Sequence, residues 1–267
     1  MSDRADCGTP SPPHMKKLPE ILFAFWVMKI CATTLGETAG DLLSMTMDVG
    51  YATSTIILMS IFLVTVVAQL LSKRYHPFLY WAVILSTSTA GTTMSDYMDR
   101  TLELGYAKGS AILLGILLAI FTYWRSTGSS LSVEKVHTPK VEILYWTAIL
   151  FSNTLGTALG DYLADDSGLG FAGGAMLIGG LLAVVVALTF FTKISRVLLF
   201  WIAFVLTRPF GATLGDVLTK DHDKGGLGFG TIGSSAVLGG VLLLLVLVEL
   251  WRHKNIPTEP EVIAEEL

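Results

Sequence analysis

Long apolar runs alternate with short polar segments along most of the chain. A helical run of about 20 residues crosses a hydrocarbon core of ~30 Å. The pattern predicts eight membrane helices at about 20–45, 53–72, 77–98, 108–124, 141–164, 172–192, 197–219 and 230–251. Residues 1–18 and 252–267 are polar, and we interpret them as disordered cytosolic tails. The first of these lacks the apolar stretch typical of a signal peptide.

One short motif closes four of the apolar runs: a glycine, three residues, a second small residue and an aspartate. The aspartates are 55, 65 and 55 residues apart: Asp41, Asp96, Asp161 and Asp216. A fixed spacing of this kind marks internal repeats. The sequence therefore predicts two duplicated membrane halves, 19–125 and 141–251, joined by a cytosolic linker at 126–140.

Each repeat holds two predicted helices, so every repeat starts from the same side of the membrane. The repeats are therefore parallel, related by an axis along the membrane normal. Because the odd-numbered helices carry the polar residues, we expect them to form an inner group. The even-numbered helices would surround that group and face lipid.

Composition and hydropathy together predict an all-α membrane protein with eight transmembrane helices. Hydrophobic residues make up 52% of the chain and charged residues 15%, whereas soluble domains carry about 25% charged residues. Most Lys and Arg residues follow the even-numbered helices, so the positive-inside rule places both termini in the cytoplasm. The chain has no nucleophile–base set, HExxH motif or phosphate-binding Gly-Lys-Ser/Thr, and we expect neither an enzyme, a cofactor nor a nucleic-acid partner.

The small residues of the motif form small-xxx-small pairs, which let helices approach closely in lipid. We interpret them as packing positions: Gly36, Gly40, Gly91, Ser95, Gly156, Gly160, Gly211 and Gly215. We interpret Trp81, Trp146, Trp201 and Trp251 as parts of interfacial aromatic belts.

Oxygen-bearing side chains lie below the aspartates at one-turn intervals. They are Glu37, Thr92 and Thr157 in one layer, and Thr33 and Asn153, with Ser88 and Arg208, in the next. Oxygen ligands of these types suit hard divalent and alkali ions. The sequence thus predicts an ion site formed by the four aspartates, Glu37, Thr33, Thr92, Thr157 and Asn153.

Two basic residues interrupt this polar ladder. Either each neutralises a buried carboxylate, Lys29 with Glu37 or Asp41 and Arg208 with an aspartate, or a basic side chain occupies the empty site and is displaced by substrate or a proton. Arg208 with nearby hydroxyls also leaves binding of a small oxyanion open.

The motifs resemble a bacterial inner-membrane family labelled "uncharacterised membrane-anchored protein". The resemblance rests on Thr33-Thr34-Leu35-Gly36 through Asp41, on Asn153-Thr154-Leu155-Gly156 with Gly160-Asp161-Tyr162, and on Arg208-Pro209-Phe210-Gly211 with Gly215-Asp216. It extends over about residues 17–254. It implies a helical protein of the inner membrane, supplies no activity, and favours metal ions.

Two functions from different classes follow. The first is a secondary transporter or exporter of a small inorganic cation, expected to be a divalent metal ion and driven by an ion gradient. The second is a non-transporting accessory or sensor protein that modulates a membrane partner such as a histidine kinase. Expected partners are the lipid bilayer and a small ion, with a homo-oligomer or membrane partner left open.

Overall fold

The computed structural model describes residues 18–133, 136 and 138–255, with side chains up to Arg252. These residues form eight α-helices and no strand: α1 (Phe23–Asp41), α2 (Tyr51–Leu71), α3 (Pro77–Asp96), α4 (Tyr106–Ser126), α5 (Pro139–Asp161), α6 (Gly170–Phe191), α7 (Arg196–Thr219) and α8 (Gly230–Asn255). The all-α prediction is confirmed. The predicted tails lie outside the described residues except at their inner ends, where Leu18 is buried and α8 continues to Asn255.

Three inner helices change their winding directly after the motif aspartate. α1, α3 and α5 continue as five-residue π-helical turns at Leu42–Thr46, Tyr97–Thr101 and Tyr162–Asp166. α7 instead runs as an α-helix to Thr219. A π turn inserts one residue per turn and is frequent at functional sites. The fourth repeat therefore ends differently from the other three.

The odd-numbered helices form a closed inner ring. α1 packs on α3, α3 on α5, α5 on α7, and α7 on α1. The even-numbered helices lie outside, with α2 on α3, α4 on α5, α6 on α7 and α8 on α1. The expected inner and outer groups are confirmed. Each outer helix, however, packs chiefly on the inner helix of the next repeat.

The division into inner and outer helices follows from composition. The outer helices expose large apolar side chains such as Ile56, Val64 and Phe190. Among the described residues, five helices are long and apolar enough to cross a membrane, namely α2, α4, α6, α7 and α8. The polar layers of α1, α3 and α5 lower their mean hydropathy, because these helices bury polar groups against one another.

The linker between the halves is packed on the bundle rather than free. α4 includes Ser126 and α5 begins at Pro139, so the connection is shorter than the predicted 126–140. Val133 and Val136 are buried in the main core. The indole Nε1 of Trp201 donates a hydrogen bond to the carbonyl of Leu131 over 2.9 Å. This contact ties the linker to α7.

Aromatic side chains close one end of the inner ring. They lie near the N-terminal ends of the four inner helices at repeat-equivalent positions: Phe25 and Trp26, Tyr80 and Trp81, Tyr145 and Trp146, Phe200 and Trp201. Their rings stack edge-on or tilted, and the hydroxyls of Tyr80 and Tyr145 are 3.0 Å apart. We call these eight residues the aromatic layer.

The aromatic layer corrects the expectation of an interfacial belt. Trp81, Trp146 and Trp201 are buried, whereas Trp251 is exposed. Four inner helices converge at this end, and edge-to-face packing inside the ring removes more aromatic surface from water than a membrane interface would. The three tryptophans therefore serve as core.

Candidate functional site

The four motif aspartates meet at the end of the ring opposite the aromatic layer. Three of them are the last residues of α1, α3 and α5, and the fourth lies three residues before the end of α7. All four side chains are buried, with residue exposures of at most 3%: Asp41, Asp96, Asp161 and Asp216. Coulombic repulsion acts among them and with Glu37. We call these five carboxylates the acidic cluster.

The glycines of the motif hold the inner helices in register. A Cβ atom on Gly36 would overlap Ser88 of the next inner helix, and one on Gly211 would overlap Thr33. The same relation joins Gly91 to Asn153 and Gly156 to Arg208. Small residues thus allow the backbone contact expected of them. Because the relation repeats around the ring, the four aspartates lie at one level.

A second glycine of the motif supports the same register one turn further along the helix. Gly40 packs on Thr92, Gly160 on Ala212, and Gly215 on Glu37. In the second repeat Ser95 replaces the glycine, and its hydroxyl donates a hydrogen bond to Asp99 over 3.3 Å. This position therefore adds a polar contact where the other repeats use only packing.

A buried ion pair joins Glu37, a member of the acidic cluster, to Arg208 of α7. Arg208 Nη1 is 3.0 Å from Glu37 Oε2. The same guanidinium donates to the backbone carbonyls of Thr33 and Ser88 at 3.5 and 3.4 Å. The partner of Arg208 is thus Glu37, not one of the aspartates as expected.

Two hydroxyl groups complete this layer. Arg208 Nη2 donates to Thr92 Oγ1 at 2.5 Å and to Thr157 Oγ1 at 2.7 Å. Each hydroxyl in turn donates to Glu37 Oε2 over 3.3 Å. Residues from all four inner helices therefore contribute to one hydrogen-bonded network. A buried charge pair with this many partners is well compensated for its loss of water.

Two cationic side chains bridge the aspartates on the side away from the aromatic layer. Arg100 Nε lies 3.0 Å from Asp96 Oδ1, and Arg100 Nη2 lies 3.5 Å from Asp161 Oδ2. Lys220 Nζ lies 3.1 Å from Asp41 Oδ2 and 3.2 Å from Asp216 Oδ1. Their side chains are 33% and 24% exposed, so this end of the ring reaches water.

These carboxylates keep both bridging groups charged. Burial lowers the pKa of Lys220, but Asp216 and Asp41 outweigh it and the pKa lies above its ordinary value. For Arg100 burial also lowers the pKa, and Asp96 with Asp161 raises it further than burial lowers it. Both side chains therefore carry a positive charge at neutral pH.

The sequence analysis assigned no role to Arg100 or Lys220. The spacing of the repeats could have identified them, because each residue follows a motif aspartate by four positions. They are also 120 residues apart, the same offset as the two halves. The equivalent positions in the first and third repeats hold Met45 and Asp165.

Two of the residues predicted as ion ligands, Thr33 and Asn153, lie apart from the acidic cluster. The hydroxyl of Thr33 is within hydrogen-bond distance of the carbonyls of Lys29, Ile30 and Thr207. Asn153 is fully buried against Gly91, and its amide atoms have no hydrogen-bond partner among the described residues. Neither side chain makes a hydrogen bond to a carboxylate of a described residue.

The expected pairing of Lys29 with Glu37 or Asp41 is wrong. Its Nζ lies 4.0 Å from the centroid of the Phe204 ring and makes no hydrogen bond to any described residue. Glu37 is two turns further along α1 and is already occupied by Arg208. Lys29 is therefore held by a cation–π contact.

Three of the carboxylates lie close enough together to coordinate one metal ion. Oxygens of Glu37, Asp41 and Asp216 lie within 4.8 Å of one another, and all three residues are buried. Carboxylate oxygens are the ligands that hard cations prefer. Around this group, five carboxylates face three cationic side chains, Arg100, Arg208 and Lys220. With all groups ionised, the site has an excess of two negative charges.

The repeats correspond to a known sequence family. The family model described as Repeat of Unknown Function (DUF347) matches residues 24–75, 79–130, 144–195 and 199–255. The chain belongs to this family. Each DUF347 repeat contains one inner helix and the outer helix that follows it, and the four tandem repeats predicted from the aspartate spacing are confirmed. Searches of curated proteins and of solved structures found no match.

Proposed function

We propose that the protein is a secondary transporter or exporter of a small inorganic cation, most consistent with a divalent metal ion. In this proposal all eight helices cross the inner membrane of a bacterium and both termini lie in the cytoplasm. The exposed apolar faces of the outer helices support contact with lipid. In a variant with Cys7 and Cys31 replaced by serine, a cysteine placed at Ser129 would then react with an impermeant maleimide only from the cytoplasmic side.

The group formed by Glu37, Asp41 and Asp216 carries the proposal. Ionised carboxylates buried among membrane helices are costly and mark ion pathways. Here three of them converge from α1 and α7 with oxygens within 4.8 Å of one another. Such a set can replace part of the hydration shell of a hard cation.

The two ends of the ring support a carrier rather than an open pore. At one end the side chains of Arg100 and Lys220 are partly exposed, whereas the aromatic layer closes the other end. Fixed cations within the path oppose free leakage of cations. An ion bound at the cluster would therefore cross only when the ring closes on one side and opens on the other.

The excess of negative charge supplies a route to coupling. Protons and a metal ion compete for the same carboxylate oxygens, since a carboxylate ligand must be deprotonated to bind. Because metal binding would release protons, metal transport in one direction would be coupled to proton transport in the other. A proton gradient would then drive transport of the metal ion.

Flux into liposomes tests this function. Purified protein is reconstituted and influx of Mn²⁺, Zn²⁺, Co²⁺, Ni²⁺ and Mg²⁺ is followed with ion-sensitive dyes. The D41N/D216N variant should reduce flux of the transported ion about ten-fold or more, because it removes two charged ligands. D165N/D166N removes the same charge from exposed positions and should stay close to the wild type. Equal flux in both variants, or none in any sample, would reject the proposal.

One observation favours the second candidate, an accessory or sensor protein. Arg100, Arg208 and Lys220 already pair with all five carboxylates, which would also fix the register of four helices permanently. Affinity purification from native membranes distinguishes the two functions. A stoichiometric protein partner together with absence of ion flux would support the accessory role.

A further inference from the structure

The acidic cluster divides into two halves with the same plan. In one half Arg100 bridges Asp96 and Asp161, and in the other Lys220 bridges Asp216 and Asp41. In each case the cation reaches back to the aspartate one turn before it and across to the next inner helix. The halves differ in the chemistry of the bridge and in what surrounds it.

The Arg100 bridge is held on several sides. Besides its two carboxylates, the guanidinium carbon lies 6.0 Å from the ring centroid of Tyr51 and 5.7 Å from that of Tyr106. A guanidinium is planar, permanently charged, and stacks on aromatic rings. This half of the cluster is therefore closed by a clamped side chain.

Among the described residues, the Lys220 ammonium pairs with two carboxylates and stacks on no aromatic ring. Its ammonium is a compact charge on a flexible stem, and the side chain is partly exposed at the C-terminal end of α7. The backbone is fixed, since the carbonyl of Lys220 accepts a hydrogen bond from Gly228 N over 2.9 Å. Rotation of the side chain alone would move the ammonium from the carboxylates into water.

The oxygens of Glu37, Asp41 and Asp216 converge in the Lys220 half. The ammonium already lies between two of these carboxylates, which is the position of a bound cation. We propose that Lys220 is a tethered occupant of the ion site, and that a hard divalent cation binds to Glu37, Asp41 and Asp216 by displacing it. This inference rests on the proposed function and assigns the ion to one half of the cluster.

The charge of the emptied site favours a divalent ion. Once Lys220 leaves, three carboxylates remain with Arg208, which stays bound to Glu37. The remaining charge is minus two. A doubly charged ion with a preference for oxygen ligands neutralises it, whereas a monovalent ion leaves one negative charge buried.

Calorimetric titration of the detergent-purified protein with MnCl₂ tests the displacement. If Lys220 occupies the site at least nine-tenths of the time, K220M should lower the apparent Kd about ten-fold or more. K220R keeps the charge and adds a second donor to each carboxylate, so it should raise the Kd. K224M removes the charge of an exposed lysine four positions away and should leave the Kd within about two-fold.

Paired aspartate variants test the assignment to one half. D41N/D216N should weaken Mn²⁺ binding about ten-fold or more, and D96N/D161N should change it much less. This comparison also applies if K220M fails to fold, because it keeps the lysine.

The outcomes separate the two proposals. An unchanged or higher Kd in K220M, or equal losses in the two aspartate pairs, would overturn the role of Lys220 while ion binding by the wild type keeps the proposed function. Absence of Mn²⁺ binding in the wild type and in K220M would overturn the displacement. Stronger binding in K220M, with loss confined to D41N/D216N, would establish it.

Discussion

The most unusual side chain in the bundle is Arg208, a fully buried guanidinium at a position where the other three repeats hold Thr33, Ser88 and Asn153. Its charge is compensated by Glu37, which replaces the threonines and alanine of the equivalent positions. The first and fourth repeats have thus diverged together. Both members of the pair are needed, since either one alone would be a buried unpaired charge.

Replacing Arg208 with Met should therefore destabilise the protein strongly. We expect a loss of about 3–5 kcal/mol in the free energy of unfolding, because Glu37 is left buried without its partner. The R208M/E37Q double variant should recover part of that loss, since no uncompensated charge remains. Unfolding in mixed micelles, followed by circular dichroism, measures both. Additive losses in the double variant would show that the two side chains do not act as a pair.

The positions of the four aspartates were predictable from the sequence, but the partners of the buried basic side chains were not. The spacing of Asp41, Asp96, Asp161 and Asp216 sufficed to place them at one level, because equivalent positions of parallel repeats meet around an axis. The partners of Lys29 and Arg208 depend on the direction in which a long side chain bends, and for Arg208 one helical turn separates Glu37 from Asp41. Periodicity along a helix does not decide that choice.

At the scale of helices, the small residues determine how closely the ring can close. A Cβ atom on Gly156 would overlap Cβ and Cγ of Arg208 and press on the ring of Pro209, whereas a Cβ atom on Gly115 of α4 would meet no atom within 4 Å. Both are glycines within helices. They differ in whether another helix lies against them.

Substitution of these two glycines by alanine should therefore have opposite effects. G156A pushes α5 away from α7 at the Arg208 layer and should cost about 1–3 kcal/mol of stability. G115A fills no occupied space and should be neutral or stabilising by up to about 1 kcal/mol, because alanine favours the helix. Thermal unfolding of both variants in detergent gives the comparison. A loss in G115A as large as that in G156A would contradict this account of the inner ring.

Helix ends and packing partners were predictable to different degrees. The predicted ends of the first, third and fifth helices, at 45, 98 and 164, fall inside the π-helical turns, because apolar character continues past the aspartates. Hydropathy cannot report a change of winding. The packed linker was missed because Val133 and Val136 are isolated apolar residues in a polar segment, and only tertiary contact shows that they are buried.

At the scale of the whole molecule, the outer helices pack chiefly across the boundaries between repeats rather than within a repeat. Since each outer helix packs on the inner helix of the next repeat, α4 joins the first half to the second, and α8 closes the ring on α1. The ion pairs cross the same boundary: Arg100 with Asp161, Lys220 with Asp41, and Arg208 with Glu37. Neither half contains a complete site.

A chain divided between the halves should therefore reassemble only as a pair. Residues 1–128 and 129–267, co-expressed with a tag on one of them, should co-purify in equal amounts, and each alone should be degraded or aggregate because its inner helices expose unpaired polar layers. G211L in the second half would overlap Thr33 of the first and should abolish co-purification, whereas G180L faces open space and should not. Size-exclusion chromatography with detection of both fragments measures the outcome. A stable, monodisperse first half without its partner would contradict it, and would mean that the polar layers can be satisfied within two repeats.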